Sequence, residues 1–130
     1  MNAENKSKGA MSMLTLYWYP KCSTCKKAKA WLDSQGVAVQ TLDMVQNPPT
    51  AATLLQWMEE SDLPVRRFFN TSGMKYREMG LKDQVPNLSP QEASELLASD
   101  GMLIKRPILV RDDKLLSIGF KETEYEGVAK

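Results

Sequence analysis

Leu14-Thr15-Leu16-Tyr17-Trp18-Tyr19-Pro20-Lys21-Cys22-Ser23-Thr24-Cys25 is the stretch on which the fold turns. Its first six residues are apolar, aromatic or β-branched, which suits a short buried strand. Pro20 stops that strand, because it has no N–H to give to a sheet ladder. A helical pattern begins near Ser23: Cys25, Ala28 and Leu32 recur at i, i+3 and i+7, while Lys26, Lys27 and Asp33 can face water. Gly36 stands where a helix would place its C′ glycine. Val37 to Asp43 reads as a second strand. Strand, helix and strand in so short a span make a βαβ unit, with two parallel strands and a right-handed crossover.

Downstream, Pro48-Pro49 closes the exit loop and Thr50 can cap a helix that carries Leu54, Leu55 and Met58 inward. A loop-rich stretch runs from Leu63 to Val85. Ser89-Pro90-Gln91-Glu92 is a capping box with proline at the first helical position, followed by an apolar stripe of Ala93, Leu96 and Leu97 that Asp100-Gly101 ends. The last third changes period. Ile108-Leu109-Val110 and Leu115-Leu116-Ser117-Ile118 flank the polar turn Asp112-Asp113-Lys114 as an antiparallel hairpin, and a short terminal helix follows from about Lys121. The order β-α-β, helices, β-β-α predicts an α/β, thioredoxin-like fold with a mixed four-stranded sheet. It is read as one domain over 14–130 with a helical insertion at about 46–104. Residues 1–13 show no periodicity and read as a disordered lead or a cloning remnant. Trp18, Tyr19, Trp31, Phe68 and Phe69 are expected in the core or at its rim.

Composition narrows the function. The chain has 130 residues, 42% of them apolar and 25% charged, which is a globular composition of single-domain size. Its 17 basic and 16 acidic residues leave +1, too balanced for bulk charge to drive direct nucleic-acid binding. No apolar run reaches the length of a membrane span, and the first residues have no secretory apolar core, so a cytoplasmic protein is expected. Histidine is absent, which removes Ser-His-Asp and Cys-His catalysis and every histidine-ligated metal site.

Both cysteines fall in one motif, Cys22-Ser23-Thr24-Cys25. At a helix start, the Cys22 thiol would meet unpaired N–H groups and the positive end of the macrodipole, which favour a thiolate. Cys25, one turn on, is placed to attack a mixed disulfide on Cys22 and release its other half. Lys21, Lys26, Lys27 and Lys29 add charge of one sign. The alternatives are two structural buried thiols, or a zinc or iron–sulfur site shared within an oligomer, since one chain supplies too few ligands. No metal and no bound cofactor is expected. Arg106-Pro107 precedes the hairpin, where thioredoxin-like folds often place a cis-proline facing the redox cysteines; Arg106 would then point into the same pocket.

With Tyr19-Pro20-Lys21-Cys22-Ser23-Thr24-Cys25-Lys26-Lys27-Ala28, Phe69-Asn70-Thr71-Ser72-Gly73, Gly80-Leu81-Lys82-Asp83 and Leu103-Ile104-Lys105-Arg106-Pro107-Ile108, the chain resembles the ArsC/Spx family from Leu14 to about Val128. That family comprises glutaredoxin-coupled arsenate reductases and the related transcription regulators. The resemblance implies a nucleophilic Cys22 and an oxyanion-binding Arg106, with Lys21, Lys26, Asn70 and Pro107 around an anion pocket. It implies an external thiol reductant as partner: glutathione with glutaredoxin, or thioredoxin. Arsenate reductases of this type carry histidine four residues before the cysteine and arginine four after, where Trp18 and Lys26 stand here; two more arginines fall near Asn70 and Gly119. A lysine does not replace the planar fork of an arginine. Cys25 instead offers an internal resolving thiol. The Spx branch also has a C-x-x-C and implies an alternative, redox-switched binding to the C-terminal domain of the RNA polymerase α subunit. Regulators typically have a glycine near residues 59–64, and Glu59-Glu60-Ser61-Asp62-Leu63-Pro64 has none, so the chain reads as closer to the reductase branch.

Overall fold

In a computed structural model, residues 13–128 are described. The expectation for residues 1–13 therefore lies outside them, Met13 excepted. The deciding stretch forms strand β1 (Leu14–Trp18), which occupies an interior position in a four-stranded sheet of order β2-β1-β3-β4. β2 (Gln40–Asp43) lies parallel to β1, with Leu16 opposite Thr41. β3 (Ile108–Arg111) runs antiparallel on the other side, with Leu16 opposite Leu109, and β4 (Lys114–Ile118) completes the hairpin. This is the mixed α/β arrangement expected from the sequence. β2 is shorter than the predicted Val37–Asp43. The N–H of Val37 is taken by the Leu32 carbonyl at 3.0 Å, and Gly36, at φ 70°, bonds back to Asp33. Those two bonds form a Schellman cap, which holds the chain to helix α1 (Ser23–Ser34) before pairing with β1 can start.

Alternation along the strands divides the core between the two sheet faces. Leu14, Leu16 and Leu109 pack with Ala28 and Leu32 of α1 and Tyr125 of α6 (Glu122–Val128). Tyr125 sits edge-on to both Phe120 and Trp31, at 4.8 and 5.9 Å. Ile108, Val110 and Ile118 face the helical insertion, where Phe68, Phe69 and Trp57 are buried.

The insertion contains α2 (Ala51–Ser61), α3 (Met74–Glu78), α4 (Leu81–Gln84) and α5 (Pro90–Ser99), with 3-10 turns between them. Thr50 caps α2 by accepting the Thr53 N–H, and the Ser89–Glu92 capping box of α5 is complete. Trp57 takes the buried place expected of Leu55, which is only half-buried. It packs edge-on to Tyr17 at 5.3 Å, and its indole N–H donates to the Asp113 carbonyl. In α5, Ser94 is buried where Leu96 was expected, its hydroxyl donating to the Gln91 carbonyl at 2.8 Å. A small residue there suits the face that packs on α2. The stretch Leu63–Val85 alternates turns with short helices, more helical than the loop-rich reading of its sequence. Its helices are one-turn pieces, each anchored by a single buried residue such as Tyr76 or Leu81, so they leave no periodic stripe in the sequence. Gly101 closes the insertion against the end of β2: a Cβ there would collide with the Met44 carbonyl oxygen.

Candidate active site

Cys22 is the N-cap residue of α1, with extended backbone, and its Sγ accepts the N–H of Cys25 at 3.3 Å. Pro20 ends β1 and the chain turns, with the Cys22 N–H bonded to the Tyr19 carbonyl, so the thiol arrives at the open end of the helix. Cys22 is half-buried, whereas Cys25 is buried beneath it on the Ala28–Leu32 stripe. Both are free thiols. The Cys25 Sγ accepts the backbone N–H of Tyr19 at 3.5 Å.

The two thiols are driven apart in acidity. Burial pushes the Cys22 thiol up, but the hydrogen bonds from the Cys25 thiol and N–H, then the hydrogen bond and charge of Arg106, outweigh it and hold Cys22 below the ordinary value. For Cys25, burial and the hydrogen bond to Cys22 raise the thiol to about 12. The outer sulfur is thus the more acidic of the two, and the inner one holds its proton more tightly. A proton on Cys25 is what lets it donate to the Cys22 thiolate.

Arg106 comes from the segment before β3, where the Arg106–Pro107 peptide is cis. Its guanidinium carbon lies over the Tyr19 ring, 5.2 Å from the centroid, a cation–π contact beside the turn leading to Cys22. Its Nη1 also approaches the Met102 sulfur at 3.9 Å, while its buried Nε has no partner.

These groups open onto a cavity of about 530 Å³. Cys22, Asn70 and Arg106 line it, as the sequence suggested, and so does Gly119. The positive charge around it differs from the expectation. Lys21 and Lys26 are exposed in the turn and first helical turn and do not line the cavity; Arg67, Lys105 and Lys121 do. The sequence signal for Lys105 was its place next to Arg106, and for Arg67 its place just before the buried Phe68-Phe69 pair. Pro107 sits behind Arg106 rather than in the wall. Gly119 adopts φ 80°, a conformation that a side chain would strain, so the wall there is backbone. Tyr125 donates to the Gly119 carbonyl at 3.4 Å, which ties α6 to this wall. Among the described residues no cluster of three or more histidine, cysteine or acidic side chains is placed to hold a metal. No helix there is long and apolar enough to cross a membrane.

Comparison with known proteins agrees with this geometry. The ArsC family model matches residues 17–128. The uncharacterized protein YusI of Bacillus subtilis is 50% identical over 87% of this chain and 95% of its own length. A global transcriptional regulator Spx from Streptococcus agalactiae is 30% identical, covering 86% of this chain and 80% of the regulator. A crystal structure described as a possible arsenate reductase from Streptococcus mutans superposes with a TM-score of 0.82 at 52% identity, over 85% of this chain and 93% of that one.

Proposed function

Since the chain belongs to the ArsC family, whose model covers residues 17–128 of it, we propose that it is a thiol–disulfide oxidoreductase in which Cys22 is the nucleophile, Cys25 the resolving thiol and Arg106 the anion-binding group. The single observation that carries this reading is the division of labour between the two sulfurs: Cys22 at a helix N-terminus, facing a cavity and held toward thiolate, with a protonated Cys25 hydrogen-bonded behind it. The Cys22 thiolate attacks one sulfur of a disulfide substrate. The S–S bond breaks, the departing thiolate takes a proton from solvent, and a mixed disulfide remains on Cys22. Cys25 then loses its proton, attacks the Cys22 sulfur and releases the second half as a thiol. Protein dithiol and substrate disulfide have become protein disulfide and two thiols. An external thiol reductant, glutathione with glutaredoxin or thioredoxin, returns the two electrons.

Arsenate is the poorer fit. Of the four cations around the cavity, only Arg106 stands where arsenate reductases keep an arginine. The test is thiol loss on fully reduced protein, followed by intact mass, with glutathione disulfide and with arsenate in parallel. Loss of both thiols and two hydrogens with the disulfide is expected, and Cys25→Ser should keep a glutathione adduct on Cys22. A Cys22 that no disulfide oxidises would end the proposal. Rapid arsenate-dependent loss would restore arsenate as substrate. The identity to Spx regulators supports a second reading, redox-dependent binding to the C-terminal domain of the RNA polymerase α subunit, which calorimetry in both redox states would reveal or dismiss.

A further inference from the structure

A second cavity of about 150 Å³ adjoins the thiol cavity, and the two share Arg67 and Lys105 as walls. Arg66, Phe69 and Thr71 line only the second; Cys22 lines only the first. Neither wall contains an aspartate or glutamate. Two lysines elsewhere find carboxylates, Lys29–Asp33 and Lys75–Asp100; among the described residues Arg66, Arg67, Lys105 and Lys121, like several lysines on the open surface, pair with none. In a chain of net charge +1, two adjoining cavities are thus lined by cations with no acidic residue among them. Like charges held this close repel, and a bound anion removes that repulsion.

The second cavity is also firmly built. The Lys105 N–H donates to the Phe68 carbonyl at 2.9 Å, the Asn70 N–H donates to the Leu103 carbonyl at 2.8 Å, and Phe69 pairs with Ile104 in an antiparallel bridge. These bonds stitch the Arg66–Thr71 segment to the segment bearing Lys105 and Arg106. The distance from the small cavity to Cys22 is therefore set by the fold. Arginine forks and a threonine hydroxyl suit a phosphate or carboxylate, and the larger cavity is within the usual range for small-molecule sites.

We propose that the cavity walled by Arg66, Arg67, Thr71 and Lys105 is an anion subsite, and that it selects small-molecule disulfides whose tail carries a phosphate or carboxylate. The sulfur end of such a ligand meets Cys22 while the charged tail rests between Arg66 and Lys105. The choice of substrate rests on the redox reading above; the binding of the tail does not.

The test compares kcat/KM for four disulfides: that of coenzyme A (phosphate tail), that of glutathione (carboxylates), hydroxyethyl disulfide (neutral) and cystamine (cationic). Each rate is normalised to its reaction with a free thiol. The protein should favour an anionic disulfide over the neutral one by about tenfold, and Arg66→Gln should shrink that ratio about fivefold, as loss of one partly screened charge would. A fall confined to coenzyme A disulfide assigns the subsite to phosphate, and one confined to glutathione disulfide assigns it to carboxylate. A ratio that holds within twofold overturns the subsite. Should no disulfide oxidise the protein, the redox reading fails and binding alone decides. Reduced coenzyme A and S-methylglutathione are then titrated into Cys22→Ser with and without Arg66→Gln. Weaker binding in the double variant sustains the subsite, and equal binding or none overturns it.

Discussion

Replacing Arg106 by glutamine should slow Cys22 without harming the fold. The guanidinium contributes a hydrogen bond and a charge to the Cys22 thiolate. A hydrogen bond to a charged group is worth about 1.5–3 kcal/mol. The thiol is only half-buried, so solvent screening reduces that to about 1 kcal/mol, or about fivefold in the thiolate population below the thiol's pKa. The stability side runs the other way. The Arg106 Nε is buried without a partner, and the charge sits beside Arg67, Lys105 and Lys121, so its removal relieves both a desolvated donor and a repulsion. Thermal unfolding should stay level or rise. The assay is the pH dependence of iodoacetamide alkylation in a Cys25→Ser background, which isolates Cys22, run on Arg106, Arg106→Gln and Arg106→Lys proteins. Gln should shift the profile to higher pH, and Lys should recover part of the difference because it restores charge but not the planar fork held over Tyr19. Superimposable profiles for all three, with folding intact, would refute the assignment of Arg106 to the thiolate.

The reduced protein should lose stability on the alkaline side. Cys25 is raised from an ordinary 9.0 to about 12, and burial, with the Cys25 charge next, raises Tyr125 as well. Above pH 9 the unfolded chain therefore releases protons that the folded chain keeps, so stability falls as pH climbs toward 12. Urea midpoints at pH 8 and pH 10.5 should show the drop, and Cys25→Ser should show less of it; an equal drop would clear Cys25. Gly101→Ala should cost about 3 kcal/mol, because the new Cβ meets the Met44 carbonyl oxygen and the Val45 Cα, which are backbone and cannot swing aside. A melting temperature lower by about 10 °C is expected by circular dichroism, and an unchanged one would mean that the insertion is free to shift from β2.

The βαβ start, the Cys25–Ala28–Leu32 face, the Gly36 cap, the Ser89–Glu92 capping box and the hairpin were all legible because each rests on neighbours in the chain. So was the placement of Cys22, since a C-x-x-C between a strand-breaking proline and a helix has few other geometries. The one-turn helices of the insertion were not, because a single buried anchor makes no pattern. The burial of Trp57 was not either, as it depends on Tyr17 and Asp113 from distant parts of the sheet.

Charge shows the boundary most clearly. Read along the chain, the lysines beside the C-x-x-C were the natural partners of the thiolate, and the structure turns Lys21 and Lys26 to solvent. The cations that line the cavities come from Arg66-Arg67, Lys105-Arg106 and Lys121, far apart in sequence. Nothing local distinguishes them from any other surface charge. The place of Cys22 at the N-cap of α1 was determined by the sequence, because helix geometry is set within a few residues. The acidity of the two thiols, the pairing of Cys22 with Arg106 and the cationic walls were decided only by tertiary structure. Electrostatic energy depends on distance and burial through space, and the fold alone creates those.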